Sequence, residues 1–179
     1  ERYDLAEEAY HQSLAICRDQ GDRDGESLAL NNLGELAVAR GQYAQAESLS
    51  LQALAIAEEL GEEWTIVVCL YNLGEAANAG GDSARALGFY RRGAALALEV
   101  SATDQAARIA VNAARALQRS GKTGMAAGLL RAALAHPATE EAERAKARAW
   151  LAELGGTPPE AEDESLLEIS LRRDLLEES

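Results

Sequence analysis

Apolar residues recur along this chain at the three- and four-residue steps that place side chains on one face of an α-helix. The pattern starts in residues 3–20 and returns after each break, and glycines such as Gly41 and Gly61 occupy most of the breaks. A glycine ends a helix readily because it adopts the left-handed conformation without strain. We predict helices over residues 3–20, 24–40, 43–60, 63–79, 83–99, 101–120, 123 to the His136-Pro137 break, 139–154 and 165–177. No alternating β-branched run occurs, so the pattern predicts an all-α protein.

The helical segments repeat every forty residues, and residues 21–60 and 61–100 are identical at 14 of 40 positions without a gap. Leu30-Asn31-Asn32-Leu33-Gly34-Glu35 returns as Leu70-Tyr71-Asn72-Leu73-Gly74-Glu75, with a weaker third copy around Asn112. A fixed period of this size is typical of a solenoid, in which each unit buries its apolar face against its neighbours. Residues 3–20 align with 43–60, so we expect them to be the second helix of a repeat whose first helix precedes this chain.

The period divides the chain into a helical array over residues 1–155, an acidic Gly/Pro linker over 156–164 and a capping helix over 165–179. Within the array we expect a partial repeat 1–20, repeats 21–60, 61–100 and 101–138, and a terminal helix 139–155. Two capping boxes are predicted, Ser165 with Glu168 and a variant of Ser101 with Asp104. Because solenoid ends expose apolar surface, we expect the 165–177 helix to cover the 139–154 helix or to lie in the groove.

The spacing of small residues resembles one family of such arrays. At Leu33-Gly34, Gly41, Tyr43, Ala46 and Ala53 the sequence is similar to the tetratricopeptide repeat (TPR). The resemblance implies a right-handed superhelical solenoid of antiparallel helix pairs, in which the first-helix glycine lets the second helix approach closely. The forty-residue length and the Leu-Asn-Asn-Leu-Gly signature resemble the arrays of kinesin light chains and of bacterial STAND-class signal-transduction ATPases and transcription regulators. There the array is a sensor or partner-binding arm.

Charge and composition argue against several classes of function. The net charge of -13 argues against nucleic acid as a partner, which requires a basic surface. No apolar run is long enough to span a membrane, and we expect a cytoplasmic fragment of a longer protein. Cys17 and Cys69 fall at apolar register positions and are interpreted as small buried residues. No catalytic group, metal site or cofactor site is predicted.

The candidate working surface is the concave face, which the first helices line in such solenoids. Asn32, Asn72 and Asn112 share one register and would form a ladder, and an asparagine amide can bond both groups of an extended peptide backbone. The alternative is that these asparagines tie neighbouring first helices together. The predicted partner-binding residues are Asn31, Asn32, Glu35, Tyr71, Asn72, Glu75, Arg108, Asn112 and Arg115.

These features favour a non-enzymatic module that binds a protein or peptide along the concave face, as an arm of a larger bacterial signalling regulator. The alternative is a structural scaffold or a self-association array without a discrete ligand, in which the open solenoid ends would pair.

Overall fold

The computed structural model describes residues 2–159 and 163–176, and these residues are helical apart from short connections. A π-helical turn, Arg172–Leu176, follows the last α-helix. The α-helices are α1 Arg2–Gln20, α2 Arg23–Ala39, α3 Tyr43–Leu60, α4 Glu63–Ala79, α5 Ser83–Glu99, α6 Thr103–Arg119, α7 Thr123–Ala135, α8 Glu141–Glu153 and α9 Glu164–Leu171. No strand occurs in this described part, and none of its helices is long and apolar enough to cross a membrane.

The helix bounds agree with the sequence pattern to within two residues at most ends. For α3, α4 and α5 the predicted and observed bounds are the same. Parts of the predicted linker (160–162) and of the predicted capping helix (177–179) lie outside the described residues. The contacts form two compact units, Glu1–Asp82 and Ser83–Ser179, so that α4 and α5 of the predicted repeat 61–100 belong to different units.

Each unit is a stack of helices joined by tight turns, and most turns use a glycine as predicted. The backbone has positive φ at Gly21, Gly41, Gly61, Gly81, Gly121 and Gly155. At Gly61, φ is 71°, and its N–H and that of Glu62 satisfy carbonyls at the end of α3. Helix α7 ends differently, since His136 is extended before Pro137, as the restriction on pre-proline residues requires.

Ser101 holds the register position of Gly21 and Gly61, and it adopts φ 57°, the only positive φ of a non-glycine residue among those described. The predicted Ser101–Asp104 capping box is therefore wrong. The residue that caps α6 is Ala102, and it makes no side-chain capping bond. Ser101 serves as a strained substitute for the turn glycine.

Gly34 brings α2 close to α3, as the resemblance to the tetratricopeptide repeat implies. A Cβ atom placed on Gly34 would lie 2.6 Å from Ser50 Oγ and 3.4 Å from the Ala46 carbonyl oxygen. Ser27 Oγ also donates a buried hydrogen bond of 3.0 Å to the Ala53 carbonyl. Ala46, Ser50 and Ala53 are fully buried beneath this contact. The interface therefore depends on small residues on both helices.

Ion pairs connect α1 with α2. Glu26 accepts from Arg18 Nε at 2.8 Å and from Arg23 at 2.6 Å. These two guanidinium groups hold the pKa of the Glu26 carboxyl below its ordinary value, Arg18 contributing most. At the other end of α2, Arg40 bonds Asp4 and Glu7 of α1.

The C-terminal helix packs on the second unit, but its place and its cap differ from expectation. Its main contacts are α9 with α7 and α6, and the π-helical turn with α5 and α7. Helix α8 is not among these main contacts, so the expected cover of the 139–154 helix is not observed among the described residues. Leu167, Leu171 and Leu175 are buried, and Arg91 Nε bonds the Leu175 carbonyl at 2.7 Å. The predicted Ser165–Glu168 capping box is wrong because Asp163 caps α9, accepting from the Ser165 N–H and hydroxyl.

Replacing Ser101 by glycine should raise the free energy of unfolding by about 1 kcal/mol, because a left-handed conformation costs an L-residue about that much and costs glycine little. Urea denaturation measures the change. As a control, Ser48→Gly in the exposed interior of α3 should lower stability by about 0.5 kcal/mol. A loss of stability in Ser101→Gly would contradict the strain.

Candidate functional site

The nine predicted partner-binding residues lie on the first helices of the repeats, α2, α4 and α6, but the structure buries four of them. Asn31, Tyr71, Asn72 and Asn112 are each 5% exposed or less. Asn32, Glu75, Arg108 and Arg115 are partly exposed, and Glu35 is exposed. A residue on a first helix is therefore not necessarily accessible at the surface.

Asn72 uses its side chain inside the first unit. Its Nδ2 donates to Asn31 Oδ1 at 3.0 Å, and both side chains are buried between α4 and α2. The alternative interpretation of the ladder, a tie between neighbouring first helices, therefore describes this pair. Asn31 lies one residue outside the register of the ladder, and nothing in the repeat pattern indicated that it would be the acceptor.

Asn112 lies at the same register in the second unit and bonds its own helix. Its Nδ2 donates to the Arg108 carbonyl at 2.9 Å, one turn earlier in α6. In α8, which lies in the predicted terminal helix 139–155, Lys146 pairs with Glu143 at 2.7 Å.

Asn32 differs from the other two ladder residues because it lies at an open edge. Within the described part of the chain, its side-chain amide makes no hydrogen bond, and it lines a cavity of about 240 Å³. We call this cavity the end cleft. It is lined by Tyr3, Ala6 and Tyr10 of α1 and by Asn32, Glu35, Leu36 and Ala39 of α2.

Arg115 joins α6 to α8 in the second unit. It donates to Gln118 Oε1 at 2.8 Å and to Glu153 Oε2 at 2.7 Å, and its guanidinium lies 5.3 Å from the centre of the Trp150 ring. An open cavity of about 510 Å³ adjoins it, lined by Arg115, Gln118, Arg119 and Glu153. The repeat register predicted Arg115 as a site residue. It did not predict the partners Glu153 and Trp150, because α8 departs from the forty-residue period.

The residues of the first helices that remain accessible follow a repeating pattern, which we call the first-helix stripe. In the first unit it contains Leu28, Asn32 and Glu35 of α2 and Val68 and Glu75 of α4; in the second unit it contains Arg108 and Arg115 of α6. The first unit therefore presents apolar and acidic groups, and the second presents guanidinium groups.

The two cysteines, Cys17 and Cys69, are both free thiols. Cys69 is buried as predicted, and burial, with a smaller contribution from Glu58, raises the pKa of its thiol to about 12. Cys17 is only half-buried, contrary to prediction, because it lies on the edge helix α1. Across the described residues, no group of three or more His, Cys, Asp or Glu side chains could hold a metal ion.

Two substitutions at the ladder register should differ in their effect on stability. Asn72→Ala should lower the free energy of unfolding by about 1–2 kcal/mol because it leaves the buried side-chain oxygen of Asn31, Oδ1, without its donor. Asn32→Ala should change it by less than about 0.5 kcal/mol because its amide makes no bond within the described residues. Urea denaturation of both variants measures the difference, and equal losses would contradict the assigned roles.

Comparison with known proteins places the helical pattern in a family. The family model described as "Tetratricopeptide repeat" matches residues 1–59 and 26–99, which together exceed half of the chain. No curated protein matches the sequence significantly. Tetratricopeptide repeats generally mediate protein–protein interaction and are typically non-catalytic. With its all-α helix pairs, its glycine turns and this match, the chain belongs to the tetratricopeptide repeat family.

Proposed function

We propose that this chain binds a protein or peptide segment along the part of the first-helix stripe that lies in the first unit, and that it catalyses no reaction. The observation that carries the proposal is the contrast between the faces of α2 and α4. Their other faces are buried among helices, whereas Leu28, Glu35 and Val68 retain accessible surface at repeating positions. Packing of the helices does not require accessible residues at repeating positions. This row is therefore a candidate binding surface.

The chemistry of the stripe suggests what it would accept in the first unit. Leu28 and Val68 offer apolar contact, and Glu35 and Glu75 lie one forty-residue period apart with the same charge. Asn32 adds an amide that can both donate to and accept from a peptide backbone. A segment with apolar and basic side chains would therefore complement this part of the stripe.

The buried members of the predicted site have a supporting role in this proposal. Asn31 and Asn72 hold α2 and α4 side by side, which fixes the spacing of Glu35 and Glu75. In the second unit, Arg115 is held by Glu153 and Gln118, so its guanidinium has a defined position. Rigid, preorganised groups bind with less loss of entropy than mobile ones.

The wider setting follows from the resemblance to bacterial STAND-class regulators. We propose that the array acts as a partner-binding or ligand-sensing arm of a larger cytoplasmic signalling protein. In that setting, occupation of the stripe would be communicated to a switch domain elsewhere in the protein.

The proposal can be tested with peptides selected from a random display library on the immobilised chain. We expect the selected peptides to be enriched in basic residues, and Glu35→Lys/Glu75→Lys should weaken their Kd by about tenfold or more. Isothermal titration calorimetry measures the Kd.

A matched control is Glu8→Lys/Asp19→Lys, which changes the net charge equally but alters exposed residues of α1, outside the stripe. It should leave the Kd within about twofold at physiological ionic strength. Equal losses in both double variants would show a general charge effect and contradict the stripe as the binding surface.

A further inference from the structure

The second unit carries a guanidinium group that is held by protein acceptors at only one of its nitrogens. Nη1 of Arg115 donates to Gln118 Oε1 at 2.8 Å and to Glu153 Oε2 at 2.7 Å. Within the described residues, Nε and Nη2 of Arg115 make no hydrogen bond. These two nitrogens form the side of the guanidinium fork that can bind both oxygens of one carboxylate. Arg115 therefore keeps a bidentate donor edge available for a ligand.

The Trp150 ring helps to fix the orientation of this guanidinium. The ring centre lies 5.3 Å from Cζ of Arg115, a distance at which a cation and an aromatic face attract each other. Trp150 and Glu153 belong to α8, whereas Arg115 and Gln118 belong to α6. Because two helices orient the side chain before a ligand arrives, binding costs less conformational entropy than it would for a mobile arginine.

The cavity of about 510 Å³ beside Arg115 has room for more than one acidic side chain. It is lined by Arg115, Gln118, Arg119 and Glu153, and we call it the arginine cleft. Arg119 follows Arg115 by four residues, which is about 6 Å along the axis of α6. Alternate side chains of an extended peptide lie on one side, about 7 Å apart. The spacing of the two arginines therefore matches two carboxylates separated by one residue.

The charge around the arginine cleft also favours an acidic ligand. Residues 83–154 contain eleven Lys or Arg and six Asp or Glu, although the whole chain has a net charge of -13. Such a local excess of positive charge attracts an acidic segment. Glu153 lies in the same cleft and favours a carboxylate over a phosphate, because it would repel a doubly charged group more strongly than a singly charged one.

The acidic linker of this chain is attached at another helix. Arg131 Nε donates to the Thr157 carbonyl at 3.1 Å, and the Asp163 N–H donates to the Ala135 carbonyl at 3.0 Å. Arg131 and Ala135 belong to α7, which contributes no residue to the lining of the arginine cleft. The described ends of the linker therefore lie on α7, and a segment of another protein is the ligand that fits the cleft.

We propose that the arginine cleft binds an extended acidic segment of a partner protein with the pattern Glu-x-Glu. One carboxylate accepts from Nε and Nη2 of Arg115, and the next lies beside Arg119. Gln118 and Glu153 keep Nη1 engaged and hold the fork in place. This site lies in the second unit, so the inference does not rest on the binding proposed for the first unit.

The test titrates a fluorescein-labelled peptide, Gly-Glu-Ser-Glu-Gly with an amidated C-terminus, with the full chain and follows fluorescence anisotropy. We expect saturable binding, and no binding of the matched peptide Gly-Gln-Ser-Gln-Gly. Arg115→Lys keeps the charge but lacks the fork, and it should weaken the Kd by about tenfold. Arg148→Lys is the matched control, since Arg148 is exposed on α8 and does not line the cleft; the Kd should stay within about twofold.

Glu153→Gln should instead tighten the Kd by about threefold, because it keeps an oxygen for Nη1 of Arg115 and removes a charge that repels the ligand. A damaged fold would not produce this gain. A weaker Kd in Glu153→Gln would contradict the proposed position of the ligand beside this carboxylate.

The proposal is overturned by absence of saturation at about 1 mM protein, by equal affinity for the two peptides, or by equal effects of Arg115→Lys and Arg148→Lys. Tenfold tighter binding by Glu160→Gln/Glu162→Gln would show that the linker competes for the cleft and would overturn the partner assignment. The first-unit proposal is tested with basic peptides and with other variants, so failure here leaves it unaffected.

Discussion

The close approach of a first helix to the second helix of its repeat is the constraint on which the first unit depends. Gly34 and Ser50 meet at a distance that leaves no room for a Cβ atom without movement of the serine hydroxyl. Ala46 and Ala53 are fully buried at the same interface. Protein interiors are close-packed, so one added methyl group at such a contact must displace its neighbours. This explains why a protein with so few aromatic residues builds its core from alanine and leucine.

The close contact also determines where polar groups can be placed. With α2 and α4 side by side, the Asn31 and Asn72 side chains meet in a buried position and satisfy each other. A buried amide without a partner would cost about 1–3 kcal/mol, so the pair favours this register of the two helices over a shifted one. The same side-chain type at Asn32, on the edge, has no such partner within the described residues. Equivalent sequence positions therefore differ in their contacts: the Asn72 side chain is used in packing, whereas Asn32 stays partly exposed.

Much of the fold could be predicted from the sequence because it is local. Helical periodicity and turn glycines indicated the bounds of α3, α4 and α5. The resemblance to the tetratricopeptide repeat, carried by Gly34, Ala46 and Ala53, implied the close pairing of helices. Among the wrong predictions were the two capping boxes, in which a residue adopts a conformation or a capping role that its residue type did not indicate. Ser101 occupies a glycine conformation, and Asp163 caps α9 in place of Ser165. The site was less predictable, since its accessible residues depend on contacts between repeats. The pairing of Asn31 with Asn72 and the capture of Arg115 by Glu153 are examples.

The central claim is that the first unit depends on the close approach of α2 to α3 at Gly34. The most direct measurement is urea denaturation of Gly34→Leu beside Gly88→Leu, a control in α5 where an added Cβ would meet nothing within 4 Å. Gly34→Leu should lower the free energy of unfolding by about 2 kcal/mol or more because the added side chain overpacks the contact, whereas Gly88→Leu should raise it because leucine favours a helix more than glycine does. Equal changes in the two variants would contradict the account.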